Sequence, residues 1–278
     1  MAHFDFINAA TKGYELCWIN RKYFLRIAIP VLFVKLTCVL AIFTTGMQEK
    51  YLMQGIIMMP SYILEALFAI GLIRYILYKE PIFIWGTPVP PPETDTKPMP
   101  YSGVLSKEKS IKAGVAIYIL VKLVEAFMLG IAMDSIPSTP VATVSDGDMD
   151  IIEFSPFISS LIIFISLVIF AWAFKLFWSF VPIAFGYPVS YYLKRLKGAS
   201  QTVSMIAAWI VCSLPLMTLF SSILQGLSEG LTEGSAEFII LTSITRVVAE
   251  IMILSIQVCA MAYGIHRVLS GIKGEDEE

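Results

Sequence analysis

Seven ionisable side chains stand deep inside apolar runs: Lys35, Glu65, Lys122, Glu125, Lys175, Arg246 and Glu250. Carboxylates and amines in such a setting can relay protons, line a path for a charged solute, or lock helices together as ion pairs. At the centre of a lipid-facing helix each costs about 2.5–3.5 kcal/mol, so the set would cost about 20 kcal/mol if unpaired, more than a typical fold can bear. They must therefore face inward and be paired or neutral. Lys122 and Glu125 are three positions apart and Arg246 and Glu250 four apart, so each pair shares a helix face. Lys35 and Glu65 fall near mid-depth of consecutive antiparallel runs and are expected to pair across helices. Lys175, near the end of its run, is expected to snorkel toward the surface. Together the seven form a candidate intramembrane polar network.

Other chemistry is hard to assemble from this chain. The motifs GxSxG, HExxH, GxxxxGK[ST], GxGxxG and SxxK are absent, as is a pair of aspartates in adjacent runs suited to intramembrane proteolysis. The histidines, His3 and His266, lie near opposite ends, so no local zinc or haem motif exists and no metal or cofactor is expected. Cys17, Cys38, Cys212 and Cys259 form no CxxC and read as free thiols used as small apolar residues. Asp146, Asp148 and Asp150 have alternate spacing but lack the glycine and terminal glutamate of a calcium loop, which leaves a solvated turn. The expectation is that the protein is not an enzyme.

The elements that must position the charges follow from composition. Of 278 residues, 57% are hydrophobic and only 15% charged. Soluble domains carry about a quarter charged residues, so this chain cannot cover a water-facing surface of ordinary size. A net charge of −2 offers no basic excess for phosphates, which excludes a nucleic-acid partner. A membrane-crossing helix needs about 20 mostly apolar residues. Six stretches meet that test: 24–46, 52–78, 111–133, 157–182, 203–227 and 238–265. None alternates with period two, which rejects a barrel. The predicted fold is all-α: a six-helix integral membrane bundle forming a single polytopic domain over 1–278, with two interfacial amphipathic helices. No cleavable leader is read at the start, so the first run is taken as a retained span.

Lysine and arginine set the orientation. Lys12, Arg21 and Lys22 precede the first span; Lys79, Lys97, Lys107 and Lys109 fill the second loop; Lys194, Arg195 and Lys197 fill the fourth; Arg267 and Lys273 follow the last span. The alternate loops are acidic or hold Lys50 alone. Both termini are therefore expected in the cytoplasm; the chain's size and short loops give the expectation of a bacterial plasma or inner membrane.

Residues 4–22 place Asp5, Asn8, Lys12 and Glu15 on one helical face and Ile7, Ala10, Tyr14 and Cys17 on another, predicting an amphipathic helix in the inner interface. Residues 188–200 repeat the arrangement, with Ser190, Lys194, Lys197 and Gln201 opposing Val189, Leu193 and Leu196. Lys12, Arg21, Lys22, Lys194, Arg195 and Lys197 are the candidate docking residues for anionic lipid or a partner. The stretch 79–110 holds seven of 15 prolines and reads as a stiff cytoplasmic linker, and 268–278 as an acidic tail. Pro30, Pro60, Pro182 and Pro215 lie in or at the ends of spans, with Pro182, Gly186 and Pro188 marking the clearest helix end.

Lys12-Gly13-Tyr14-Glu15-Leu16 ahead of Asn20, and Phe177-Trp178-Ser179-Phe180-Val181-Pro182 ahead of Tyr192-Leu193-Lys194-Arg195, carry a resemblance. In layout the chain resembles a loosely defined group of bacterial membrane proteins of unassigned activity, including the membrane domain fused to some glycerophosphodiester phosphodiesterases. The resemblance implies a helical membrane domain. It implies no activity, because these residues contain no phosphodiesterase catalytic domain. The preferred expectation is a non-enzymatic accessory or scaffold subunit that contacts protein partners or its own copies in the bilayer; the alternative is a small transporter or channel working through Glu65, Glu125 and Glu250.

Overall fold

A computed structural model describes residues 3–80, 104–134, 173–232 and 234–271, and every regular element among them is an α-helix. In chain order these are α1 (Phe6–Ile19), α2 (Arg21–Thr44), α3 (Tyr51–Ile57), α4 (Met59–Tyr78), α5 (Lys107–Asp134), α6 (Phe180–Ala184), α7 (Val189–Arg195), α8 (Ala199–Ser228) and α9 (Ala236–Ser270). A further helical turn precedes α6 within the apolar stretch Ala173–Ala184. Local chemistry sets several ends. The Asp5 carboxylate accepts from the Ile7 and Asn8 amides and starts α1, and the Asn20 side-chain amide donates to the Leu16 carbonyl and closes it. Ser235 caps the start of α9, and Gly271, in the left-handed region at φ 69°, ends it.

α2, α4, α8 and α9 are long and apolar enough to cross a membrane. Their outward faces are apolar too: Leu25, Ile29 and Phe33 on α2, Leu214, Leu219 and Leu227 on α8, and Ile240 and Ile244 on α9 are all exposed. A surface of that kind suits hydrocarbon and not water. The described residues are thus all-helical, with four helices of the length and composition of membrane spans. At about 1.5 Å per residue α8 and α9 exceed the ~30 Å hydrocarbon layer, so each must tilt or protrude.

The core forms where α2, α4, α6 and α9 meet, around Phe68, Leu72, Ile73, Phe185, Met261 and Ile265. α2 and α4 run antiparallel: Tyr23 stacks on Tyr75 with ring centroids 3.9 Å apart, while Lys35 reaches Glu65. The end of α4 meets the α6–α7 turn through Tyr78, whose hydroxyl donates to the Phe185 carbonyl, and Phe185 packs edge-on against His266 near the end of α9. His3 lies 3.0 Å from the Ser200 hydroxyl, and Phe4 covers Gly264. The starts of α1, α2 and α8 and the ends of α4 and α9 therefore gather at one pole.

α1 is set into the bundle by small residues. Ala9, Ala10 and Gly13 are buried, and a Cβ on Gly13 would stand 2.8 Å from that of Ala260 and 2.9 Å from the Ile256 carbonyl oxygen. Phe4 meets Gly264 while Cys17, 3.4 Å from the Cys259 sulfur, meets α9 little further along. Phe4, Gly13 and Cys17 thus all meet α9, and α1 is packed against it over much of its length. All four cysteines are free thiols.

Several boundaries differ from the sequence reading. The second span is two helices, α3 and α4, parted at Met58, because Pro60 cannot donate into the preceding turn. The amphipathic helix expected over 188–200 stops at Arg195, and α8 starts at Ala199 after Gly198. On α1, Ile7 is exposed at 64%, since close helix contact selects Ala9 and Gly13 over a larger side chain. On α7, Tyr192 and Leu196 point inward and Leu193 outward. The fourth span is described only from residue 173; most of the proline-rich linker, the acidic loop and most of the tail lie outside the described residues.

Candidate functional site

Four helices bring six of the seven intramembrane charges to one cavity. On α2, Lys35 is 7% exposed, and its ammonium lies 2.8 Å from Glu65 Oε1 on α4 and 2.8 Å from Glu250 Oε2 on α9. Glu65, only 1% exposed, also accepts from the Ser61 hydroxyl at 2.9 Å and from the Tyr118 hydroxyl of α5 at 3.2 Å. Glu250 is bridged a second time, its Oε1 lying 2.8 Å from Arg246 Nε. The order Arg246–Glu250–Lys35–Glu65 alternates in sign and sums to zero. Lys35, with a carboxylate on either side, and Glu65, with three donors, answer the desolvation that would otherwise forbid burial.

The fifth and sixth charges form a separate pair on α5, Lys122 Nζ to Glu125 Oε2 at 2.7 Å. Tyr118 connects it to the chain, because the Lys122 ammonium stands 6.0 Å from the Tyr118 ring whose hydroxyl serves Glu65. These groups border a cavity of about 700 Å³, which Trp178, Trp209, Phe174 and Phe177 wall on another side. The volume falls within the range of small-molecule sites.

Lys175 does not join this network. It is buried, and its ammonium donates to the carbonyls of Leu196 and Gly198, closing the gap between α7 and α8. The expected snorkelling toward the surface is replaced by hydrogen bonds to backbone carbonyls just past the end of α7, the chemistry a cation finds at a helix C-terminus.

The sequence reading missed Arg74. It is 3% exposed at the end of α4 and holds Glu80 by two hydrogen bonds, Nε to Oε2 at 2.7 Å and Nη2 to Oε1 at 3.0 Å. Its Nη1 donates to Ser110 on α5 and to the Ala184 carbonyl of α6, and Lys107 adds a second cation to Glu80 at 3.1 Å. Burial alone would raise the Glu80 carboxyl; the hydrogen bonds and charges of Arg74 and Lys107 outweigh it and hold the group below its ordinary value. The available signal was a lone arginine in an apolar run with a glutamate six positions on.

The six docking candidates are spread over one pole. Lys12 pairs with Glu15 at 2.8 Å on the exposed face of α1, and Arg21 donates to the Trp18 carbonyl at 2.9 Å and sits over the Trp18 ring. Lys22, Lys194, Arg195 and Lys197 are exposed, Arg195 over the ring of Tyr191. The His3–Ser200 contact brings the start of α1 beside the α7 group.

Among the described residues no cluster of three or more histidine, cysteine or acidic side chains is arranged to hold a metal ion. No protein-family model matches the chain, and no curated protein or solved structure matches it.

Proposed function

We propose that this protein is a six-span membrane protein with both termini on the cytoplasmic side, acting as a small transporter or channel through its intramembrane polar centre. The observation that carries the reading is the cavity bordered by Lys35, Glu65, Lys122, Glu125, Arg246 and Glu250 at mid-length of the spanning helices. A bundle needing only adhesion gains little from six charges around a space of ligand size, since each is costly unless matched. The gathering of the α1, α2 and α8 starts with the α4 and α9 ends supports the shared side for the termini, and the lysines and arginines there support the cytoplasm. Two spans beyond the four long apolar helices come from α5 and from the run that enters Ala173–Ala184. The exposed polar side of α1, with Asp5, Glu15 and the Lys12–Glu15 pair, supports an interfacial placement for α1.

Flux tests this reading. Proteoliposomes loaded with a pH-sensitive dye and given an ion gradient should equilibrate faster than empty vesicles. Glu65→Gln, Glu125→Gln and Glu250→Gln should each slow that rate while leaving the protein monodisperse. Unchanged flux in all three variants removes the proposal.

One observation favours the accessory-subunit reading instead: Lys35 and Glu65 are satisfied entirely within the chain, as static struts would be. That reading expects a stoichiometric partner or a homo-oligomer on purification in native detergent, and a partner-free monomer counts against it.

A further inference from the structure

The charges around the cavity are not equally committed. Both oxygens of Glu250 and both of Glu65 have partners, and Lys35 is shared between two carboxylates. Arg246 spends only Nε, on Glu250; its Nη1 and Nη2 have no partner among the described residues. Its side chain is 66% exposed in a spanning helix while lining the cavity. A guanidinium edge of that kind presents parallel N–H donors at the spacing of two oxyanion oxygens. On α5, Lys122 keeps donors to spare beyond its bond to Glu125, and the uncommitted acceptor in the same set is Glu125 Oε1. Among these charged groups spare donors therefore outnumber spare acceptors, and the mixed remainder of the wall includes a group of aromatic side chains, Trp178, Trp209, Phe174 and Phe177, beside Gln48, Gln54 and Gln257.

We propose that the cavity binds an amphiphilic organic anion, its carboxylate or phosphate head on the Nη1–Nη2 edge of Arg246 and its apolar body against the aromatic wall. This deepens the transport reading by naming the ligand class. Its test needs binding alone, so it fails or stands separately from flux. The head can come from a soluble solute or from a bilayer lipid.

The probe is bromooctanoate, whose bromine quenches tryptophan. The full chain is placed in phosphatidylcholine nanodiscs with Trp18, Trp85 and Trp172 changed to Phe, so that emission comes from Trp178 and Trp209. Quenching should saturate, and at least about tenfold more bromooctyltrimethylammonium should be needed for the same effect, as expected for a charge-assisted pair. Arg246→Gln and Arg246→Lys should both weaken binding, the lysine variant because it keeps charge but loses the fork; Arg26→Gln, at an exposed arginine outside the cavity, should not. Equal quenching by the cationic analogue, or an Arg246→Lys protein that binds like wild type, overturns the proposal. If Arg246→Gln does not fold, the anion–cation order in the wild-type cavity still decides. Nanodiscs with brominated phosphatidylglycerol in place of bromooctanoate distinguish the source: quenching beyond that of brominated phosphatidylcholine assigns a lipid, and no excess assigns a soluble anion.

Discussion

Lys35 is the residue on which the polar centre turns, because it is the cation that two buried or half-buried carboxylates share. Removing one partner of a buried pair leaves an uncompensated charge, which costs about 3–5 kcal/mol, whereas removing both is far cheaper. Lys35→Met should therefore destabilise the protein by that amount, and Lys35→Met with Glu65→Gln should recover much of the loss, since Glu250 retains Arg246. Thermal unfolding in detergent of the two variants beside wild type measures it; a double variant as unstable as the single one contradicts the sharing. The Lys35–Glu65 partnership was legible from sequence, as both sit midway along consecutive apolar runs. The second bond to Glu250 was not, because it depends on which face of α9 packs against α2. Arg74 escaped for a related reason: near the end of a run, an arginine that snorkels and one buried on Glu80 look alike.

At the scale of elements, α1 and α8 share a hydrogen-bond debt. Pro215 lies inside α8 and has no N–H, so the carbonyl of Val211 loses its helical donor. The Tyr14 hydroxyl of α1 lies 3.3 Å from that carbonyl and 3.1 Å from that of Cys212. The helix thus takes its missing bond from a neighbour, which is how proline is tolerated in membrane helices. Tyr14→Phe should cost about 1–2 kcal/mol in wild type, by stranding a carbonyl, and much less in a Pro215→Ala background where Val211 regains its own donor. A double-mutant cycle of unfolding free energies reads the difference, and equal costs in both backgrounds would dismiss the link. Periodicity found α1 and placed Asp5, Asn8, Lys12 and Glu15 on its polar side. It chose Ile7 for the inner face because hydrophobic patterns score side-chain size, while the contact at Ala9 and Gly13 is set by how closely two backbones approach. The parting of α3 from α4 was foreshadowed by Pro60 alone, which marks either a kink or a break.

For the whole molecule, the pole where α1 and α8 begin and α4 and α9 end also holds Arg21, Lys22, Lys79, Lys107, Lys194, Arg195, Lys197 and Arg267. The opposite ends carry Glu49, Lys50, Glu229 and Glu237. Basic side chains resist translocation, so the first pole should face the cytoplasm. The antiparallel pairing of α2 with α4 and the short turn between α8 and α9 make the assignment rigid: inverting one element inverts all. With the four native cysteines replaced by alanine, single cysteines at Lys50, Lys197 and Ser270 report on the two poles. A membrane-impermeant maleimide should label Lys50→Cys in intact cells, and should label Lys197→Cys and Ser270→Cys only once the membrane is opened. The reverse pattern would turn the bundle over without altering its packing. Labelling of Lys197→Cys and Lys50→Cys from the same side would break the link between basic pole and cytoplasm, and with it the placement of the polar centre partway across the bilayer.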